Sequence, residues 1–207
     1  DQLTYPEETV VRTRTVATDG ALSIKERKLN MLVQRKLPLN GTGTLTATNS
    51  AAQALIYLAL DQKNGRRSIN EVDIAQILAE EQAVISYFGN VKAAEFSYTL
   101  DDNNLSFEEI AGMVASSMFC EAYRYGNKLR IRFEQPQQNS ILLFNAANKA
   151  PNSEKRTKSF GTENKYDGIE IEYTSPDDDT RITYVAPDDE YPINTMQIKT
   201  SGIRSHE

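Results

Sequence analysis

Acidic side chains between positions 170 and 179 are the first place in this 207-residue sequence to look for chemistry. Glu170 and Glu172 precede three consecutive aspartates at 177–179. Grouped carboxylates can bind calcium, and two carboxylates can act together in sugar hydrolysis. A calcium loop, however, needs spaced oxygen ligands, a turning glycine and a distal glutamate. The contiguous aspartates offer none of that spacing.

The residues around these carboxylates favour a structural role. Ile169, Ile171 and Tyr173 alternate with the glutamates, which predicts a strand, and residues 181–185 alternate in the same way. Pro176 followed by aspartates is typical of a turn, because proline presets φ and aspartate bonds its own backbone. We therefore expect an exposed hairpin turn. The alternatives are adventitious calcium binding and a glutamate pair for sugar hydrolysis.

Residues for nucleophilic or zinc chemistry are too few. His206 is the only histidine, whereas Ser–His–Asp and Cys–His sites need a positioned imidazole. Cys120 is the only cysteine, so the usual zinc ligand sets cannot form, and it follows an apolar helix face where packing is expected. Gly41 and Gly43 form a GxG turn without the Lys-Ser/Thr of a phosphate loop. We expect no catalytic, cofactor-binding or metal-binding residues and no enzyme activity.

Composition narrows the class of protein further. Hydrophobic residues make up 39% of the chain and charged residues 25%, which is typical of a globular protein. The net charge of −6 argues against nucleic-acid binding. No apolar run approaches the ~20 residues of a membrane span, so we expect no membrane insertion. One cysteine fits synthesis in a reducing compartment. The sequence starts at Asp1 without a signal-like segment, and we expect a piece excised from a longer protein.

Arg130 and Arg132 share one face of the predicted strand LRIRF and could bind an acidic partner or a phosphate. Gly126-Asn127 predicts a type II′ hairpin turn, whose first position needs a positive φ. The predicted register pairs Tyr125 with Lys128, Arg124 with Leu129, Tyr123 with Arg130, Ala122 with Ile131, Glu121 with Arg132, and Cys120 with Phe133.

That register sorts the hairpin into two faces. Cys120, Ala122, Ile131 and Phe133 are expected to pack under a helix over 106–119. The opposite face would carry Glu121, Tyr123, Arg130 and Arg132. Arg130 and Arg132 together form a basic ridge on this face. A Glu121–Arg132 pair, with Tyr123 beside Arg130, would neutralise part of the ridge, which favours a structural role for the arginines.

Capping signals predict three helices. Asn49 or Ser50 can begin a helix that runs to about Lys63 and stops at Gly65. A second helix is predicted from Asn70 to Gly89. The third opens with a capping box, in which Ser106 caps and Glu109 reaches back to its amide. Strands are predicted at 10–18, 28–38, 95–100, 141–144 and 196–200, in addition to those above.

These elements predict an α+β fold. We expect residues 49–135 to form a central helix-plus-hairpin domain, flanked by antiparallel β segments at 1–48 and 136–207. No internal repeat or low-complexity segment is present.

Four blocks of the sequence resemble the host-specificity protein J family of long-tailed phages, also called tip-attachment or central tail-hub proteins. The blocks are RKLNMLVQRKLP (27–38), EFSYTLDDNNLSFEEIA (95–111), AYRYGNKLRIRFEQPQ (122–137) and NSEKRTKSFGTENKYDGIEIEYTSPDDD (152–179). The closing SGIR (201–204) fits as well. The sequence is much shorter than members of the family, and the resemblance implies that it lacks their start and their receptor-binding end.

The resemblance implies a structural role in the virion tail tip, with synthesis in the bacterial host cytoplasm. Family members form trimeric hubs, so it implies a homotrimer of the full-length protein that contacts other tail-tip and distal tail proteins. It also implies that segments 1–48 and 136–207 belong to hub-type barrel domains. Two alternatives stay open: a tail enzyme domain acting on cell-wall or surface polysaccharide, and a binding module for an acidic partner.

Overall fold

The structure is a computed structural model. It describes residues 33–100, 104–136, 139–140, 142–145, 147–151, 153–158, 166–177, 180–187 and 192–205. The chain divides between Val33 and Gln34, and every helix and strand below belongs to the Gln34–Glu207 unit. Helices and small sheets share this unit, which confirms the α+β class. The strand predicted at 10–18, and residues 28–32 of the next one, lie outside the described residues.

A short hairpin begins the described part. Strand β1, Lys36–Pro38, pairs antiparallel with β2, Leu45–Ala47. Between them Asn40 and Gly41 have φ of 55° and 82° inside a 3-10 turn. The predicted turn at 40–43 is confirmed, since these two positive φ values suit asparagine and glycine.

Helix α1, Ala51–Leu60, ends three residues before the predicted Lys63. Ser50 caps it as predicted, accepting the N–H of Gln53 at 3.0 Å. At the other end of the helix the backbone of Asp61 is extended, and the N–H of Gly65 donates to the Leu58 carbonyl at 3.0 Å. The chain therefore folds back over the helix end, and a Cβ on Gly65 would lie only 2.4 Å from the Ala59 carbonyl oxygen.

Helix α2, Ile74–Phe88, begins at Asp73, so the predicted cap at Asn70 is wrong. Ser68 and Glu71 form their own capping box around a separate 3-10 turn, Ile69–Glu71, which contains Asn70. The backbone then extends, and the N–H of Asp73 donates to a strand carbonyl outside the helix. Gly89, with φ of 68°, ends the helix as predicted.

Residues 95–100 form no strand, contrary to the prediction. A 3-10 turn, Val91–Ala94, precedes them. The N–H of Phe96 then donates to Asn49 at 2.8 Å, and the N–H of Ser97 donates to Gly202 at 2.9 Å. The segment is extended, but its bonds go to two separate parts of the chain and no ladder forms.

Helix α3, Phe107–Ser117, and the hairpin after it follow the sequence closely. The Ser106–Glu109 capping box is confirmed, with Ser106 N–H donating to the Glu109 carboxylate at 2.7 Å. The helix ends two residues before the predicted 119. Strands β3, Cys120–Tyr125, and β4, Lys128–Phe133, pair in the predicted register at all six positions. Gly126 has φ of 61°, as the first position of a type II′ turn requires.

The core centres on α1, whose sequence AAQALIYLAL is apolar around most of its circumference. Helices α2 and α3 pack against α1, and the β3–β4 hairpin packs against α2 and α3. Cys120, Ile131 and Phe133 are buried in this core and Ala122 packs against it, which confirms the predicted inner face. The largest fully buried side chains are Leu55, Ile56, Ile77, Val84, Val114, Met118 and Ile131.

A three-stranded sheet contains β5, Gly168–Thr174, β6, Arg181–Ala186, and β7, Thr195–Lys199, in the order β6–β5–β7. The three predicted strands are confirmed. Strands β5 and β6 are antiparallel, but β5 and β7 are parallel, so the expectation of purely antiparallel segments is wrong here.

Residues 142–144, from the strand predicted at 141–144, form no strand and are exposed. The backbone carbonyl of Leu143 instead accepts the side-chain amide of Asn148 at 2.7 Å, within a local turn. Within the described ranges, no helix combines the length and apolar character needed to cross a membrane.

Candidate interaction surface

The two arginines of the basic ridge are both engaged in ion pairs. Arg132 pairs with Glu121 at 3.2 Å, as predicted. Arg130 has Tyr123 as its cross-strand neighbour, also as predicted, but its guanidinium bonds mainly to Asp73, with N–O distances of 2.6 and 2.8 Å. Its guanidinium carbon also lies 4.8 Å from the ring centroid of Tyr125.

Asp73 is the partner that the sequence did not indicate, because it lies 57 positions from Arg130. The hydrogen bond from Arg130 lowers the pKa of Asp73, and the same bond raises the pKa of Arg130. Both groups therefore carry full charge at neutral pH. A ridge neutralised in this way gives little support to a binding site for an acidic partner.

Side chains of α2 close the outer edge of β4. The N–H of Ile131 donates to Gln76 Oε1 at 3.2 Å, and the N–H of Phe133 donates to Glu80 Oε2 at 3.1 Å. Four residues of helix rise about 6 Å, and two residues of strand span about 6.6 Å. Residues four apart on α2 therefore match alternate backbone groups of β4, and α2 covers this strand edge.

The outer edge of β3 differs from that of β4. In an antiparallel pair, residues directly opposite one another point their backbone groups either both inward or both outward. Because the N–H of Ile131 bonds outward to Gln76, its partner Ala122 also points outward. The same holds for Cys120 and Arg124, and no group in the described part of the chain bonds these outward N–H and C=O groups.

An open cleft runs beside this free edge. Its volume is about 450 Å³, and its lining consists of Gly112, Ser116, Phe119, Cys120, Glu121, Ala122 and Glu134. A Cβ placed on Gly112 would meet no atom of the described residues within 4 Å, so that part of the chain leaves the helix surface open there. The cleft thus combines one helix face, a free strand edge and two carboxylates.

The aromatic ring of Phe119 borders the same cleft. Phe119 is 50% exposed, and its ring centroid lies 4.6 Å from that of Phe88. The φ of Phe119 is 57°, a region that bulky residues rarely adopt and that costs roughly 1–3 kcal/mol. Strain of this kind clusters at functional positions. Phe88 also contacts Tyr87, with ring centroids 5.0 Å apart.

Cys120 packs in the core and is not a reactive thiol. Its side chain is buried, and burial, with a further contribution from Glu80, raises its pKa to about 12. Since the thiolate is the nucleophile, almost none is present at neutral pH.

The acidic stretch has structural roles wherever it is described. Asp177 lies in an exposed turn, and its N–H donates to Ser175 Oγ at 3.2 Å. Glu170 accepts the hydroxyl of Thr195 at 3.2 Å, and Glu172 pairs with Arg181 across the β5–β6 ladder. The aspartates at 178 and 179 lie outside the described residues. Among the residues that are described, no three His, Cys, Asp or Glu side chains group as metal ligands.

Neither protein-family models nor curated proteins match this sequence. The resemblance to tail-hub proteins therefore stays a prediction from the sequence blocks.

Proposed function

We propose that this chain is a middle fragment of the central hub of a phage or prophage tail tip, with a structural role in assembling the distal tail end. The sequence blocks that resemble the protein J family support this proposal. The observation that carries it in the structure is the β6–β5–β7 sheet, which has an apolar face of the kind that assembly surfaces bury.

The strand register defines that face. Ile171 lies between Tyr184 of β6 and Ile198 of β7, and Ile169 lies between Ala186 and Met196. Because side chains alternate along a strand, these residues share one side of the sheet. The whole apolar face consists of Ile169, Ile171, Tyr173, Ile182, Tyr184, Ala186, Met196 and Ile198.

Part of this face is accessible, whereas Tyr173 on the central strand is buried. Ile169, Ile182 and Met196 are 40%, 38% and 47% exposed. A half-buried antiparallel sheet normally turns its apolar side to the core and its polar side to water. The exposed apolar side is what a segment of a larger barrel would present before its remaining strands cover it.

The closing SGIR segment attaches the sheet to the helical core. The Ile203 carbonyl accepts the N–H of Thr174 at the end of β5, at 3.5 Å. The Gly202 carbonyl accepts the N–H of Ser97, and a Cβ on Gly202 would lie 2.4 Å from the Phe96 ring. An apolar face attached to a packed core in this way suits a subunit that docks as a preformed part.

The finer architecture follows the same proposal. Segments 1–48 and 136–207 belong to hub-type barrel domains, and further strands of the full-length protein cover the apolar face. The full-length protein is a homotrimer in the virion and contacts other tail-tip and distal tail proteins. It has no enzymatic role, and purified chain should release neither sugar nor peptide fragments from cell walls.

Genetic complementation tests the proposal. In a phage or prophage whose copy of the gene is deleted, the wild-type gene should restore tails with complete tips in electron micrographs. Ile182→Lys places a charge on the apolar face and should leave the tips incomplete. Thr183→Lys, one position along β6 on the polar face, is the matched control and should complement.

Three outcomes would count against the proposal. Antibodies against the chain could label no tail end, or tails could assemble normally without the gene. Cell-wall hydrolysis abolished by a single carboxylate substitution would favour the tail-enzyme alternative.

A further inference from the structure

We infer that the cleft between α3 and the free edge of β3 accepts an extended peptide, with basic and apolar residues in alternation, as an added β-strand. This site is independent of the tail-tip proposal. It rests on the backbone groups of β3, the shape of the cleft and its charge.

The backbone groups are the first requirement for strand addition. Cys120, Ala122 and Arg124 direct N–H and C=O groups away from β4 at the two-residue spacing that an incoming strand needs. On β4, the outward N–H groups of Ile131 and Phe133 are already bonded to Gln76 and Glu80. The hairpin can therefore gain a strand on the β3 side alone.

The cleft supplies the space for that strand. Gly112 and Ser116 are four residues apart and face the cleft from α3. Glycine within a helix is about 1 kcal/mol less favourable than alanine, and no described residue blocks a side chain at position 112. The glycine leaves room for side chains of a ligand, and the Phe119 ring borders that room.

The charge of the cleft selects the peptide. Among the described residues of the lining, Glu121 and Glu134 are the charged ones. Glu121 already pairs with Arg132, so Glu134 is the main source of negative charge in the cleft. Glu121 lies on the face away from α3, and Glu134 follows the buried Phe133 by one position, which places it on that same face. An added strand would therefore carry Lys or Arg on its open side and small or aromatic apolar residues on the side facing Gly112.

The binding test uses the full chain and a fluorescein-labelled peptide, Lys-Val-Lys-Phe-Lys-Val. Fluorescence anisotropy should show saturable binding that weakens as salt is raised. A second peptide with N-methyl groups at alternate residues keeps the charge and side chains but cannot form the ladder, and it should not bind. Hydrogen exchange should slow at Ala122 and Arg124 but not at Tyr123, which already pairs with Arg130.

Two variants of the chain distinguish peptide binding in the cleft from non-specific attraction between charges. Gly112→Leu replaces a poor helix former and fills the cleft, so the fold should hold while peptide affinity falls about tenfold or more. Ala122→Pro removes one outward N–H on an edge strand, where proline is tolerated, and should lower affinity about three- to tenfold.

Charge is tested with a matched pair. The double variant Glu121→Gln and Glu134→Gln should weaken binding roughly two- to fivefold, by loss of attraction at an exposed rim. Glu154→Gln, an exposed carboxylate outside the cleft, should leave binding unchanged.

Several results would overturn the inference. The N-methylated peptide could bind equally well, Gly112→Leu could bind as the wild type does, or no peptide could bind at all. Concentration-dependent dimers that Ala122→Pro abolishes would show that the occupant is a second copy of the chain.

Discussion

The helix–hairpin core and the C-terminal sheet contain strands with the same alternating pattern, but their apolar faces differ in how much surface is exposed. Ile131 of β4 is fully buried, whereas Ile182 of β6 is 38% exposed. Helices α2 and α3 pack on the hairpin, and the apolar face of the sheet has exposed residues on all three strands. Alternation thus defines which side of a strand is apolar, but it does not define what covers that side.

Truncation of the two isoleucines should give the largest difference between the regions. Ile131→Ala should lower the free energy of unfolding by about 2–5 kcal/mol, because it leaves a cavity in a packed core. Ile182→Ala should cost less than about 1 kcal/mol, as surface substitutions usually do. Urea unfolding of both variants measures the effect. Equal losses would show that the sheet face is as well packed as the core.

A buried carboxylate tests whether the helical core also depends on polar bonds. Glu81 is buried on α2, where it accepts the hydroxyl of Ser50 and the N–H of Ala52, at 3.4 Å, from the start of α1. Glu81→Ala should cost about 1–3 kcal/mol, because buried donors lose their acceptor. Glu81→Gln keeps an oxygen and should cost less. If the Glu81→Ala and Glu81→Gln variants had the same free energy of unfolding in urea, these hydrogen bonds would make no measurable contribution to stability.

Loss of the capping box of α3 should lower the stability of the same core by a smaller amount. Ser106→Ala removes the acceptor for the N–H of Glu109 and should cost about 1 kcal/mol. Ser116→Ala, at an exposed position of the same helix, is the control and should be close to neutral. Thermal melting can compare the two variants. A larger loss at position 116 would contradict the assignment of the cap.

The pH dependence of stability should be the smallest effect, and it too belongs to the core. Arg130 lowers the pKa of Asp73 from its ordinary value of 3.8, so the ionised pair stabilises the fold fully above that value. This contribution is lost as the pH falls through the lowered pKa. Asp73→Asn should therefore be less stable than the wild type at neutral pH, with a difference that narrows in acid.

Urea midpoints measured across this range provide the check. A difference that grows in acid would have the wrong sign, and it would show that another carboxylate is responsible. Asp167→Asn provides a comparison outside the core, since the backbone N–H groups of Ile193 and Asn194 lower the pKa of Asp167 without a basic side chain.

Local signals in the sequence predicted the structure well. The Ser106–Glu109 box and the Gly126-Asn127 turn each act within a few residues, and both were predicted correctly. The Ser68–Glu71 box was equally visible as a serine followed three positions later by glutamate. This box belongs to the 3-10 turn that contains Asn70, which is why Asn70 does not cap α2.

Long-range contacts could not be predicted in this way. The bonds from Gln76 to Ile131 join residues 55 positions apart, and nothing in either segment marks the other. Residues 95–100 have the composition of a strand, but their partners, Asn49 and Gly202, lie far away in the sequence on either side. The cleft beside Gly112 depends on how α3 and β3 diverge in space. The hydrophobic periodicity of the sequence does not predict this arrangement.

The closed edge of β4 also limits how copies of the chain can join one another. A hairpin with two open edges behaves as a bifunctional monomer, because every strand that adds leaves a new edge for the next and a fibril can grow. Gln76 and Glu80 reduce the hairpin to a single reactive edge. Pairing through the hairpin therefore terminates after one addition, and an open polymer cannot propagate through it.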